Sequence, residues 1–227
     1  MERPWEVTPM DPLVQHEDNL WSIGGELPWM RGMNRRMAIA RTADGRLVFY
    51  NAIPLEDALV EKLRAWGKPW LLVVPHHQHM RYGHAFAQKL GLETCAPDGE
   101  LAKVAARIPG TLPFSKVQLD DTLRLGVFES SKLHEGYLLV KSGPRTSVAV
   151  SDVVMNLNDT TLKFKLLGFG GGPKIVFFAK VAFIKDGKLL KQELRQIAQE
   201  PGMSRVIVSH GDVIETGGRE VLEQVAR

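Results

Sequence analysis

The chain has 227 residues, a single cysteine, and 29 lysines and arginines against 26 acids, for a formal charge of +3. That length suits one domain burying its own core, and a lone cysteine excludes an internal disulfide, in keeping with a reducing, cytoplasmic compartment. Basic residues are scattered rather than blocked, and no apolar window approaches the roughly 20 residues that cross a bilayer, so neither nucleic acid nor membrane is expected as a partner.

The first 19 residues are polar, carry prolines where a signal peptide needs an apolar run, and read as a surface-lying extension of a single domain spanning 1–227. Residues 19–23 read as a short strand. Runs at 37–41 and 46–51 flank Asp44 and Gly45, a hairpin signal because glycine accepts the positive φ of such turns. Apolar residues at 55, 58, 59, 63 and 66 repeat with a helical period, and Gly67 and Pro69 stop that helix. Residues 70–74 are continuously apolar, as in a strand buried on both faces. A helix over 83–90 ends at Gly91, followed by a strand at 92–95 and a short helix at 101–108. Strands follow at 123–128, 136–140 and 146–150, then a glycine-containing stretch at 164–182 without a readable period. A helix over 189–198, a strand over 205–208 and a helix over 220–225 close the chain. This order predicts an α/β sandwich of two sheets with helices outside.

The chemistry-bearing residues are unevenly placed. His76, His77, His79 and His84 crowd the segment after the 70–74 strand, where α/β folds gather binding groups. Side chains repeat every second residue in an extended segment. His77 and His79 would then point the same way and share one metal at about 2.0–2.1 Å. His134 precedes a strand, while Asp152 and His210 end two others. If those strands are neighbours, the groups converge on one edge of the sandwich, and imidazole with carboxylate suits zinc, iron or manganese. Blander readings stand beside these. The histidine segment also reads as a polar loop, His134 as an ordinary strand-end residue, and Asp152 as the N-cap of a helix over 153–157. His210 also reads as the start of a turn at Gly211. Cys95 reads as a buried structural thiol. The glycines of 168–174 lack the Gly-Lys-Ser/Thr of a phosphate loop and read as a flexible loop beside the active edge. Trp5, Trp21, Trp29, Trp66 and Trp70 read as packing residues.

Taken in order, the strand and histidines of 70–90, His134 with Gly136, the strand ending in Asp152 and the strand ending in His210 resemble the successive motifs of the metallo-β-lactamase superfamily. Arg36 with Met37, Pro75 with His79, and the run PRTSVAVSD at 144–152 resemble more narrowly a divergent branch of it. The resemblance extends from about Leu20 to the C-terminus. It implies an αββα sandwich of two mixed sheets and a metal-dependent hydrolase with an incomplete first motif, His-x-His-x-Asp-His. With His77 and His79 as its first histidines, Arg81 and Tyr82 replace its Asp and last His. Anchored on Gly83 instead, only His76 survives, and Gln78, Met80 and Arg81 fill the other places. The resemblance thus implies at most one metal, zinc or else iron or manganese, held by His77, His79 and His134 with Asp152 or His210. Cationic Arg81 would repel a second. Asp152 would also hold the attacking water, and Arg81, Tyr82, His84 and Arg145 would bind a small-molecule ester, lactone, thioester or phosphoester. The alternative is a non-catalytic protein of this fold that has no metal and binds a small anion or a protein partner.

Overall fold

The computed structural model describes residues 5–27, 33–158 and 168–227; Trp29 and residues 164–167 lie outside these. The first sheet holds β1 (Val14–Glu17), β2 (Leu20–Glu26), β3 (Asn34–Arg41), β4 (Arg46–Tyr50), β5 (Lys68–Val73), β6 (Glu93–Ala96) and β7 (Leu112–Pro113), in that spatial order. Its first four strands pair antiparallel and the rest parallel. The second sheet holds β8 (Leu123–Val127), β9 (Gly136–Ser142), β10 (Arg145–Val150) and β11 (Met203–Val208), in the order β11-β10-β9-β8. Only β10 and β11 run parallel there. Six helices are described: α1 (Asp57–Trp66), α2 (Gly83–Leu90), α3 (Leu101–Ala105), α4 (Phe177–Ala182), α5 (Gly187–Ala198) and α6 (Gly218–Val225).

Strand alternation sorts the side chains into layers. Ala38 and Ala40 of β3, Val48 and Tyr50 of β4, Leu71 and Val73 of β5, Leu138 and Val140 of β9 and Ala149 of β10 share one cluster between the sheets. The opposite parity of the first sheet, Met37, Ile39, Phe49 and Leu72, packs on Val60 and Leu63 of α1 and Phe86 and Leu90 of α2. The opposite parity of the second sheet, Val148, Val150, Val206 and Val208, packs on Leu190, Leu194 and Ile197 of α5 and Leu222 of α6. The result is four layers, helix–sheet–sheet–helix, as the resemblance implied. Cys95 is buried between the sheets, and burial pushes its thiol pKa up.

Several boundaries differ from the sequence reading. Residues 9–17 are not merely laid on the surface: β1 pairs with β2, and Asp11 N donates to Gly24 O at 3.0 Å. Helix α5 begins at Gly187 because the Asp186 carboxylate accepts from Lys188 N and Leu189 N. Residues 153–157 form no helix. Trp21 stacks on Trp66 with ring centroids 3.9 Å apart, and Trp5 stacks on Phe86 at 5.7 Å. No helix among the described residues is long and apolar enough to cross a membrane.

Candidate metal centre

The histidine segment does not continue β5 as an extended chain. His76 is extended, with φ −169°, but His77–His79 form a 3₁₀ turn. With three residues per turn, side chains at i and i+3 eclipse. His76 and His79 therefore share a side, and His77 is rotated off it. The His77 Nδ1 and backbone N–H both engage the buried carboxylate of Glu100 instead. The expectation that His77 and His79 face one way fails for this reason.

Asp152 and His210 arrive from neighbouring strands. Val150 of β10 stands opposite Val208 of β11 in parallel register, so residues two beyond each leave the sheet side by side. Gly211 then turns the chain away, with φ 103°; a Cβ there would lie 2.0 Å from Asn156 O, so a side chain is excluded. Glu135, just before β9, fixes the Asp152 loop. Its carboxylate accepts from Ser151 N and Asp152 N at 2.8 Å and from Val153 N at 3.0 Å. Asp152 caps no helix, and its carboxylate is left to face the histidines.

The polar atoms meet at close quarters. Asp152 Oδ1 lies 3.3 Å from both His79 Nε2 and His210 Nε2, and Asp152 Oδ2 lies 3.2 Å from His76 Nε2. His79 Nε2 and His210 Nε2 are 3.4 Å apart. Two acceptors fix the protons of those rings. His210 Nδ1 donates to Asn34 O at 2.6 Å. His79 Nδ1 donates to Asn51 Oδ1 at 3.1 Å, and the Asn51 amide is oriented by its own donation to Arg36 O and Ser209 Oγ. Each Nε2 is therefore left as a lone pair. Lone pairs at this spacing around a carboxylate oxygen repel unless a cation sits among them. Ligands about 2.0–2.1 Å from a tetrahedral ion stand about 3.3 Å from one another, which matches these separations. His76 Nδ1 is buried without a hydrogen-bond partner among the described residues, and Ser151 Oγ lies 3.3 Å from His76 Nε2 and 3.0 Å from His79 Nδ1. Ligand atoms of His76, His79 and Asp152 all lie within 4.8 Å of one another. The donor set, imidazole nitrogen and carboxylate, fits a divalent ion.

Protonation points the same way. Burial holds the His79 pKa well below its ordinary value, opposed by Asp152. Burial alone would raise the Asp152 carboxyl, but the surrounding histidines, His79 foremost, hold it well below the usual carboxylate range. Asp152 is thus held as the anion and His79 as the neutral imidazole, the protonation states in which both can ligate a cation. Burial, then the charge of Asp152, pushes Glu135 up to about 8, against its three backbone hydrogen bonds.

The other residues singled out in the sequence lie elsewhere. His134, with φ 41°, pairs with Glu129 at 3.4 Å and is partly exposed. Arg145, the first residue of β10, pairs with Glu17 at 3.0 Å, at the opposite end of that strand from Asp152. Half-buried Arg81 and buried Tyr82 stand near enough to Arg35 to act on its charge, and half-buried His84 lies on α2. A cavity of about 220 Å³ opens beside the cluster, lined at its polar end by Arg35, Gln78, His79, Asp152 and His210. Phe169, from the glycine-rich stretch, lines it too. Sequence reasoning passed over Glu135, Asn51 and Arg35. The available signal was a charged residue inside an apolar strand pattern for Arg35 and one directly before an apolar strand for Glu135.

No protein-family model matches the sequence, and no curated protein matches it. Solved structures match along the whole chain. The metallo-β-lactamase DIM-1 is 13% identical over 97% of this chain and 98% of its own, with a TM-score of 0.67. A metallo-β-lactamase from Pontibacter korlensis is 14% identical over 95% and 98%, with a TM-score of 0.66. The metallo-β-lactamase FIM-1 from Pseudomonas aeruginosa, in its mono-zinc form, is 14% identical over 97% and 96%, with a TM-score of 0.63. Identities this low establish the fold alone: the chain has the metallo-β-lactamase fold.

Proposed function

We propose that the chain is a hydrolase of small-molecule esters, lactones, thioesters or phosphoesters that depends on one divalent ion, zinc first, held by His76, His79, Asp152 and His210. The observation that carries this reading is the 3.4 Å approach of two imidazole nitrogens whose protons are committed to Asn51 and Asn34. A divalent ion supplies Lewis acidity and lowers the pKa of water beside it. The chain's own residues do the rest. Glu135 holds the Asp152 loop through three backbone N–H groups, so the carboxylate keeps its place without a side-chain anchor. Asp152, kept anionic, accepts a hydrogen bond from the attacking water. Asn51 and the Asn34 carbonyl hold two imidazoles in one tautomer, so no reorganisation is needed during the reaction. The apolar cavity walls limit water around the scissile bond.

The test is metal content and turnover on protein purified without chelator. About one equivalent of zinc, iron or manganese is expected, with activity on a panel of model esters and lactones that falls at least about a hundredfold in His79→Ala. Less than about a tenth of an equivalent, unchanged when metal is added back, would contradict the reading and favour the non-catalytic binding protein.

A further inference from the structure

Arg35 of β3 is 5% exposed and lines the cavity beside the cluster. Its parity with Met37 and Ile39 turns it to the face covered by helices, away from the space between the sheets. Its Nε and Nη1 have no hydrogen-bond partner among the described residues. Burial lowers its pKa to about 10, opposed by the field of Asp152, so it is cationic at neutral pH. A dry guanidinium with open donors is unfavourable unless something fills them. The rest of the cavity is apolar, walled by Leu27, Met33, Met155, Phe169, Phe178 and Phe183. On α4, Phe177, Phe178 and Val181 are 69%, 52% and 62% exposed, so the apolar wall continues onto the outer surface.

We propose that the cavity takes a small amphiphilic monoanion, with a carboxylate seated on Arg35 and an apolar body lying along the phenylalanine wall. This rests on the hydrolase reading for the bond cleaved, but binding by Arg35 requires neither metal nor turnover. The guanidinium matches a carboxylate in shape and charge. One cation facing an anionic Asp152 suits a monoanion better than a phosphate dianion. The volume, about 220 Å³, equals roughly seven waters at about 30 Å³ each, so the head and a short body fit inside and a longer tail reaches α4.

Calorimetric titration with straight-chain carboxylates of four to eight carbons, the matching primary amides and the matching alkyl phosphates tests this on metal-loaded and chelator-treated protein. The carboxylate is expected to bind at least about tenfold tighter than its amide, and affinity to rise about threefold to fourfold per methylene until the cavity is filled. Arg35→Met should erase the preference for carboxylate while leaving amide affinity within about twofold, and Arg35→Lys should keep part of it. Equal binding of carboxylate and amide by the unaltered protein would overturn the proposal, and so would tighter binding of phosphates or a preference that survives Arg35→Met. The unaltered protein decides the matter even if Arg35→Met does not fold. Carboxylate preference in a protein that holds no metal leaves this proposal standing and removes the hydrolase; turnover without that preference does the reverse.

Discussion

Arg35 and Arg205 are each 5% exposed, yet their surroundings are opposite. Arg205 of β11 donates from Nε to Glu215 at 2.8 Å and from Nη1 to Glu17 at 2.8 Å and to Ser147 Oγ at 3.1 Å. Glu17 also takes Arg145 at 3.0 Å, and His16 bridges Ser22 Oγ and Glu215. This network binds the edge strand β1 of the first sheet to β10 and β11 of the second. Arg35 has two nitrogens with no partner, beside a cavity and a cluster of lone pairs. A buried charge with its donors filled from three elements holds the fold together. One whose donors are left open beside a cavity is held in readiness for a ligand. Equal burial therefore does not mean equal role; the census of partners separates the two.

The sharpest way to break this comparison is to remove each guanidinium in turn. Arg205→Met takes from Glu17 its buried partner, leaving only the exposed Arg145, and should cost about 3–5 kcal/mol, seen as a fall of roughly 6–20 °C in Tm for a domain of this size. Arg35→Met should hold or raise Tm, because it replaces an unfilled charge by an apolar side chain. Equal losses from both variants would mean that Arg35 is also structural. A smaller effect is expected from Glu135→Gln, which turns one of the two accepting oxygens into an amide donor facing one or two of the three backbone N–H groups. It should cost about 1–3 kcal/mol in denaturant unfolding and weaken metal binding about 10–100-fold in competition with a chelator. The smallest effect belongs to Arg145→Met. Its side chain is 56% exposed, so stability should change by less than about 1 kcal/mol. Activity and carboxylate binding should not change, which kinetics on the variant will check.

The fold was largely legible because alternation is local. The two parities of β3, β4, β5 and β10 can be read from the sequence, and they sort directly into the inter-sheet and helix-facing layers. Strand β1 was not legible. Its run Val14-Gln15-His16-Glu17 is exposed or half-buried, and as an edge strand it pairs in the sheet with β2 on one side. The centre was half legible. Asp152 and His210 stood out because each ends an apolar strand, and the parallel register of those strands brings them together. His76 and His77 are neighbours in sequence, and the choice between them depends on whether the chain past Pro75 stays extended or tightens into a 3₁₀ turn. Gly136 N donating to Pro75 O at 2.9 Å and the buried Glu100 beneath His77 N bracket that turn. Both contacts are tertiary, so no local pattern reports them.

The most direct test of the centre sets those neighbours against each other by metal stoichiometry, measured on His76→Ala and His77→Ala purified without chelator beside the unaltered protein. About one equivalent should be found in the unaltered protein and in His77→Ala, and less than about a tenth in His76→Ala. Metal retained by His76→Ala and lost from His77→Ala would contradict the arrangement described here.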